Sequence, residues 1–160
     1  MEIQVLKKKH YKAVAKIYRD GLDTGIATFE TEVPNWKRWK RKFLKDGRFV
    51  AIQNGEVIGW CALSPVSKRE VYKGVAESTI YIASEHRGKG VGRRLLNHLV
   101  IASRNAGYWT LQASIFSENK TSIYLHEQCG YRVVGIRERI AKRNGQWYNN
   151  ILMEHRNDIS

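Results

Sequence analysis

The sequence is poor in residues that interrupt or cross-link a chain. Only two prolines, Pro34 and Pro65, occur in 160 residues, and no segment is of low complexity or repeats internally. That argues against domains strung on Pro-rich linkers and against a solenoid, and predicts one compact domain over residues 1–160. Two cysteines, Cys61 and Cys129, stand far apart without metal-type spacing. Each is expected as a small core residue, and no metal site is expected. No run approaches the roughly 18 apolar residues of a membrane span. Met1-Glu2-Ile3-Gln4-Val5 also lacks the basic start and apolar stretch of a secretory signal. A reducing cytoplasm is the expected location, with no membrane partner. Negative charge is scarce too: 15 Asp and Glu face 28 Lys and Arg, a formal +13. Such a surface attracts polyanions of every kind, and charge alone does not choose among nucleic acid, acidic membrane and phosphorylated cofactors.

What is present reads as alternating elements. A strand at Glu2–Leu6 precedes a helix from about His10 to Asp23, whose apolar side is Val14, Ile17 and Tyr18. Pro34 suits the first turn of a second helix, where Trp36, Trp39 and Phe43 recur at helical spacing among six basic residues. Asn54-Gly55 between two apolar runs signals a hairpin, since both turn positions favour positive φ. A long strand follows at about Gly74–Ala83, then a helix over Gly90–Asn105, a strand at Leu111–Phe116 and a helix over Asn119–Gln128. A second hairpin turns at Asn144-Gly145. The order β-α-α-β-β-β-α-β-α-β-β predicts an α/β (α+β) fold: a mixed, mostly antiparallel sheet of about seven strands with about four flanking helices.

The sharpest chemical signal is Arg87-Gly88-Lys89-Gly90-Val91-Gly92, between the long strand and an amphipathic helix. Glycines let backbone N–H groups approach an anion, and a helix start adds unpaired donors and the positive end of its dipole. A phosphate-binding turn is one reading, with Arg87, Lys89, Arg93 and Arg94 adding charge. A plain glycine-rich turn on a basic protein is the other. The segment is no P-loop, because no Gly-Lys-Ser/Thr follows, and the dinucleotide fingerprint fails on spacing.

Context adds to this. Arg-x-x-Gly-x-Gly in this position resembles the acetyl-CoA signature of the GNAT acetyltransferase superfamily. Asn119, Ser122 and Leu125-His126-Glu127-Gln128-Cys129-Gly130-Tyr131 resemble that superfamily's last helix and the turn beyond it. Four longer segments narrow the resemblance to the phosphinothricin and methionine sulfoximine acetyltransferases. They are Thr28–Pro34, Gly74–Ile82, Trp109–Phe116 and Leu125-His126-Glu127. The resemblance implies acetyl-CoA as co-substrate, acetylation of the α-amine of a small amino-acid-like compound, and a homodimer.

Acetyl transfer from a thioester needs a neutral amine, and a free amino acid's amine is mostly protonated at pH 7, so a proton acceptor is required. Glu77, a carboxylate inside an apolar strand, is the candidate; the competing role is a structural ion pair. The resemblance implies that backbone donors of Ile80, Tyr81 and Ile82 hold the pantetheine arm and polarise the thioester carbonyl. It implies that Arg87, Gly88, Lys89, Gly90, Val91, Gly92 and Arg93 bind the pyrophosphate, and that Asn119 bonds the pantetheine arm. Asn119 also suits a helix N-cap. His126 stands where the superfamily often has a Tyr acid; it would protonate the leaving thiolate or bind the acceptor's acidic end, or be simply structural. Tyr124, on another helix face, is the weaker acid candidate. Phe29, Glu30, Arg69 and Tyr72 stand where the resemblance places the acceptor pocket. Arg69 is either a fork for a carboxylate or a solvent-facing loop residue. Asn149 occupies a position where relatives often carry Asp.

The aromatics of the Trp36–Phe43 helix fall on one stripe suited to a core, so the helix is expected as buried aromatics beneath a solvated basic face, and nucleic acid is not an expected partner. Two other functions remain open to the sequence: acetylation of a protein N-terminus or lysine, and a non-catalytic module that binds CoA or nucleic acid.

Overall fold

The structure, a computed structural model, describes residues 1–28 and 30–158. Its strands are β1 (Glu2–Val5), β2 (Arg48–Gln53), β3 (Glu56–Pro65), β4 (Val75–Ile82), β5 (Thr110–Phe116), β6 (Arg132–Arg143) and β7 (Gln146–Arg156). Its helices are α1 (Tyr11–Asp23), α2 (Trp36–Lys42), α3 (Val91–Asn105) and α4 (Lys120–Gln128). The element order is the one expected, with short 3-10 turns added at Lys8–His10, Glu70–Tyr72 and Ser84–His86. One boundary differs. Pro34 lies ahead of α2, and Asn35 is the cap, its Oδ1 accepting from the Arg38 N–H at 2.9 Å. Capping by Asn satisfies a donor that proline at the helix start would have left alone. Phe43 leaves the helix for extended backbone.

Seven strands form one sheet in the order β1-β2-β3-β4-β5-β7-β6. Both Asn-Gly pairs make the expected hairpin turns, with φ of 52° and 80° at Asn54 and Gly55 and of 51° and 77° at Asn144 and Gly145. Every neighbouring pair is antiparallel except β4 and β5, which run parallel and match only at Val75–Glu77 against Thr110–Gln112. Beyond that point β4 stays with β3 as far as Ile82, while β5 follows β7. The two central strands therefore part.

Each sheet face carries its own core. On one, α1 and α2 bury Val14, Ile17, Tyr18, Leu22, Trp39 and Phe43 against Val50, Trp60 and Ala62. On the other, α3 buries Leu95, Leu96 and Leu99 against Cys61, Leu63, Ala76 and Leu111, and Ile123 and Leu125 of α4 pack beside them. Both cysteines are buried free thiols. Leu99 is fully buried, so Leu99→Ala should lower unfolding free energy by about 2–5 kcal/mol, read from a urea titration. A loss below about 1 kcal/mol would contradict this packing.

Burial, the largest influence in each case, lowers the pKa of His10, His98, His126 and His155 below the ordinary imidazole value; nearby lysines add to it at His10 and Arg104 at His155. The unfolded chain takes up these protons near pH 6.5, and the folded chain only at lower pH. The stability they contribute is complete above 6.5 and declines as pH falls below it. The urea midpoint should therefore be lower at pH 5.5 than at pH 7.5. An unchanged midpoint would show that these rings are solvated.

Candidate active site

The parting of β4 and β5 opens a cavity of about 400 Å³. Its walls are the second halves of both strands, α1 and the segment after it, and the start of α4. Strands that separate leave backbone groups without ladder partners, and such groups must find water, side chains or ligand. Part of the loss is made good at the apex. Ser78 Oγ donates to the Gln112 carbonyl at 3.3 Å and accepts from the Tyr131 hydroxyl at 2.8 Å. Toward Ile82, the edge of β4 turned from β3 borders the cavity.

Glu77 sits at this apex. It occupies the last β4 position still paired with β5, directly opposite Gln112. Gln112 Nε2 donates to its Oε1 at 3.0 Å and Ser114 Oγ to the same oxygen at 3.4 Å. Both donors are neutral, and the side chain is half-buried and borders the cavity. The carboxylate is thus held by hydrogen bonds, with Oε2 left for another partner.

On the α1 side of the cavity lie Tyr18, Thr28, Glu30, Lys42 and Ser64. The Tyr18 hydroxyl and the Lys42 ammonium both donate to the Glu30 carboxylate. Burial, then the bond to Glu30, hold the Tyr18 proton far more tightly than in a free phenol. Tyr18 in turn leans on Tyr81, with ring centroids 5.0 Å apart, and Tyr81 stacks on Trp60 at 5.3 Å. Glu30 is therefore in the cavity, as expected. Phe29 lies outside the described residues. Arg69 and Tyr72 are exposed, do not border the cavity, and pack on each other, the guanidinium 5.5 Å from the ring centroid.

Of the glycine-rich segment, Arg87 borders the cavity and donates through Nε to the Ile82 carbonyl at 3.2 Å. Gly88, Lys89 and Gly90 are exposed beyond it. Gly88 and Gly90 have φ of 72° and 82°, a region that costs most side chains about 1 kcal/mol or more. Gly90 caps α3, no side chain bonds that helix start, and its first turn contains no acid. Val91, Gly92 and Arg93 thus begin a fifteen-residue helix whose first N–H groups lack intrahelical partners. A diphosphate fits this arrangement.

Asn119 serves as the N-cap of α4, its Oδ1 accepting from the Ser122 N–H at 3.2 Å, and it also borders the cavity; its Nδ2 remains a donor. His126 is only 2% exposed. Its Nδ1 lies 2.7 Å from the Ser122 carbonyl, a contact that requires the proton on Nδ1 and makes Nε2 an acceptor. Burial favours this neutral ring, which then has no second proton to give. Tyr124 is 65% exposed and does not border the cavity.

Gln112, Ser114, Tyr18 and Lys42 escaped the sequence reading. Gln112 and Ser114 alternate with buried Leu111, Ala113 and Ile115, a period-2 signal for a polar strand face. Lys42 carries no such mark among its basic neighbours. Asn149 Oδ1 accepts from the Arg139 N–H at 2.9 Å, where β6 bulges and Arg139 has φ of 48°.

Known proteins share this architecture. The Acetyltransferase (GNAT) family profile matches residues 12–131. The phosphinothricin N-acetyltransferase of Alcaligenes faecalis is 28% identical over 158 residues, 95% of this chain and 80% of that protein. An L-methionine sulfoximine/L-methionine sulfone acetyltransferase of Salmonella typhimurium is 26% identical over 159 residues, covering 96% and 93% of the two chains. A solved GNAT superfamily phosphinothricin acetyltransferase from Sinorhizobium meliloti, in complex with AcCoA, matches with a TM-score of 0.88 and 27% identity, covering 97% of this chain and 87% of that one. A parted central sheet, a donor-rich helix start and a match over three quarters of the sequence make this chain a member of the GNAT acetyltransferase family.

Proposed function

We propose that the protein transfers acetyl from acetyl-CoA to the α-amine of a small amino-acid-like acceptor of the phosphinothricin, methionine sulfoximine or methionine sulfone type. The relatives' acceptors support that class. The observation that carries the reading is Glu77, a half-buried carboxylate held by two neutral donors at the apex of the cavity. A purely structural acid would be expected to face a cation.

The exposed turn Arg87–Gly90 and the start of α3 at Val91–Arg93 would grip the diphosphate, and Asn119 Nδ2 would meet the pantetheine arm. The thioester supplies an activated acetyl group. Backbone N–H groups of Ile80 and Ile82, which alternation turns to the open edge of β4, would stabilise charge on the carbonyl oxygen as the amine adds. Glu77 Oε2 receives the amine proton, directly or through one water. His126 in its neutral form accepts a hydrogen bond, so the departing thiolate takes its proton from solvent or from the acceptor. Tyr18, Glu30 and Lys42 border the space left for the acceptor. Two copies pair in this reading: β6, at the sheet's edge, leaves Val133, Val134, Ile136 and Ile140 exposed, an apolar strip a second copy would cover. The two free thiols suit a reducing cytoplasm.

Incubation with acetyl-CoA and a panel of amines should release free thiol with methionine sulfoximine, methionine sulfone or phosphinothricin. Release with alanine-ended peptides alone would identify a protein acetyltransferase, and no release a binding module. Glu77→Gln should lower kcat at pH 7 by about 100-fold or more, with partial recovery at alkaline pH where the amine is already neutral. Undiminished turnover at pH 7 would remove Glu77 from this role.

A further inference from the structure

The acetyl-transfer reading leaves one feature unused: the chain's positive charge, which the fold concentrates. Residues 1–12 and 31–48 hold eleven Lys and Arg against three acids, Glu2, Glu32 and Asp46, a net +8 out of the chain's +13. The two segments are distant in sequence and adjacent in space. The Tyr11 hydroxyl donates to the Pro34 carbonyl, and the Tyr11 ring sits 5.4 Å from Trp36 and 5.8 Å from Trp39. Leu6 N–H donates to the Arg48 carbonyl at 3.0 Å, and Arg48 itself reaches the carbonyls of Lys40 and Phe43. The segment with Lys7, Lys8, Lys9 and Lys12 thereby adjoins the one with Lys37, Arg38, Lys40, Arg41 and Lys45.

All nine of these side chains are exposed, and none has an acid partner among the described residues. Lys42, which does pair with Glu30, belongs to the cavity. The two sets of cations share a field that can only be relieved by counterions, and releasing those counterions drives association with a polyanion. His10 reports that field, since Lys9 and Lys7 add to burial in lowering its pKa.

We infer that the face formed by α2 and the start of the chain binds the sugar-phosphate backbone of a nucleic-acid duplex. The aromatics decide against other polyanions. Trp39 and Phe43 are 0% and 3% exposed, and the half-buried Trp36 ring is already stacked on Trp39 with centroids 5.7 Å apart, which disfavours stacking on the bases of a single strand. Across residues 1–12 and 31–48, Val5 is the one large apolar side chain that is exposed, so the face has little to insert into a lipid interface. Cations without apolar or stacking groups suit a regular array of phosphates, read without regard to sequence. This departs from the expectation that the face is merely solvated and that nucleic acid is no partner.

Fluorescence anisotropy with labelled 20-base-pair duplexes of RNA and of DNA, over a salt series, tests this. Binding by either duplex is expected to weaken linearly in log salt, with a slope of about −0.9 for each phosphate neutralised. The preferred duplex identifies the source. A triple variant, Lys37→Glu with Arg38→Glu and Arg41→Glu, should bind at least tenfold more weakly with a flatter salt dependence. A control of equal charge change elsewhere, Lys68→Glu with Arg104→Glu and Arg156→Glu, should remain within about twofold of the parent. The milder Lys37→Gln, Arg38→Gln, Arg41→Gln variant should show the same direction, which guards against misfolding of the first. Equal loss in the two charge-reversed triples would overturn the inference, because attraction would then be spread over the whole surface. Preference for a single strand, capture by phosphatidylserine vesicles in place of either duplex, or no binding at all would overturn it too.

Discussion

Three residue pairs hold the two halves of the sheet together. β4 and β5 match only from Val75 opposite Thr110 to Glu77 opposite Gln112, and the cavity opens where that seam ends. If the ladder ran on, the β4 edge would be sealed by β5 and no cavity would form. The seam ends without a stranded set of polar groups because the Ser78 hydroxyl takes up the Gln112 carbonyl, and Tyr131, just after α4, braces that hydroxyl. A side chain thus stands in for one rung, and the strands diverge at a defined position. Glu77, one residue before this brace, owes its place to it.

The same constraint explains the division of labour between the faces. Along β4, Ala76, Ile80 and Ile82 pack toward α3, while Tyr81 packs toward α1. Glu77 shares the α1 side of the strand by period-2 alternation, as do Gln112 and Ser114 on β5. The carboxylate is therefore met by polar neighbours from the next strand and kept away from the larger apolar core behind the sheet. The opposite end of β4 delivers the chain into the glycine turn, so the donor-rich start of α3 and the carboxylate at the seam are linked by a single strand.

Much of this was legible in the residues. Both Asn-Gly turns, the amphipathic α1 and α3, and the glycine turn announced themselves by local chemistry, because turns and helix starts are decided by neighbours in sequence. The inward stripe of α2 was legible for the same reason, although its start was misplaced by a residue or two because Asn35 outcompeted Pro34 as the helix opener. Pairwise partners across the fold were not legible. Nothing in the order of residues says that strand pairing stops at Gln112, that Lys42 among six similar cations meets Glu30, or that Tyr11 packs on Trp36 and Trp39. Arg69 matched a pattern, yet its guanidinium rests on Tyr72 outside the cavity. For His126 the helix position was right, and the hydrogen bond to Ser122 then restricted which proton the ring carries.

The β6–β7 hairpin reaches far enough for Arg143, just before its turn, to donate to the Thr28 carbonyl at 3.2 Å, across 115 residues of sequence. The segment that walls the acceptor side is consequently fastened from outside, by an arm anchored in the far edge of the sheet. Under the proposed function, selectivity for one amine over another would be retuned by altering that arm's length or tilt, while the strand that carries Glu77 is left untouched.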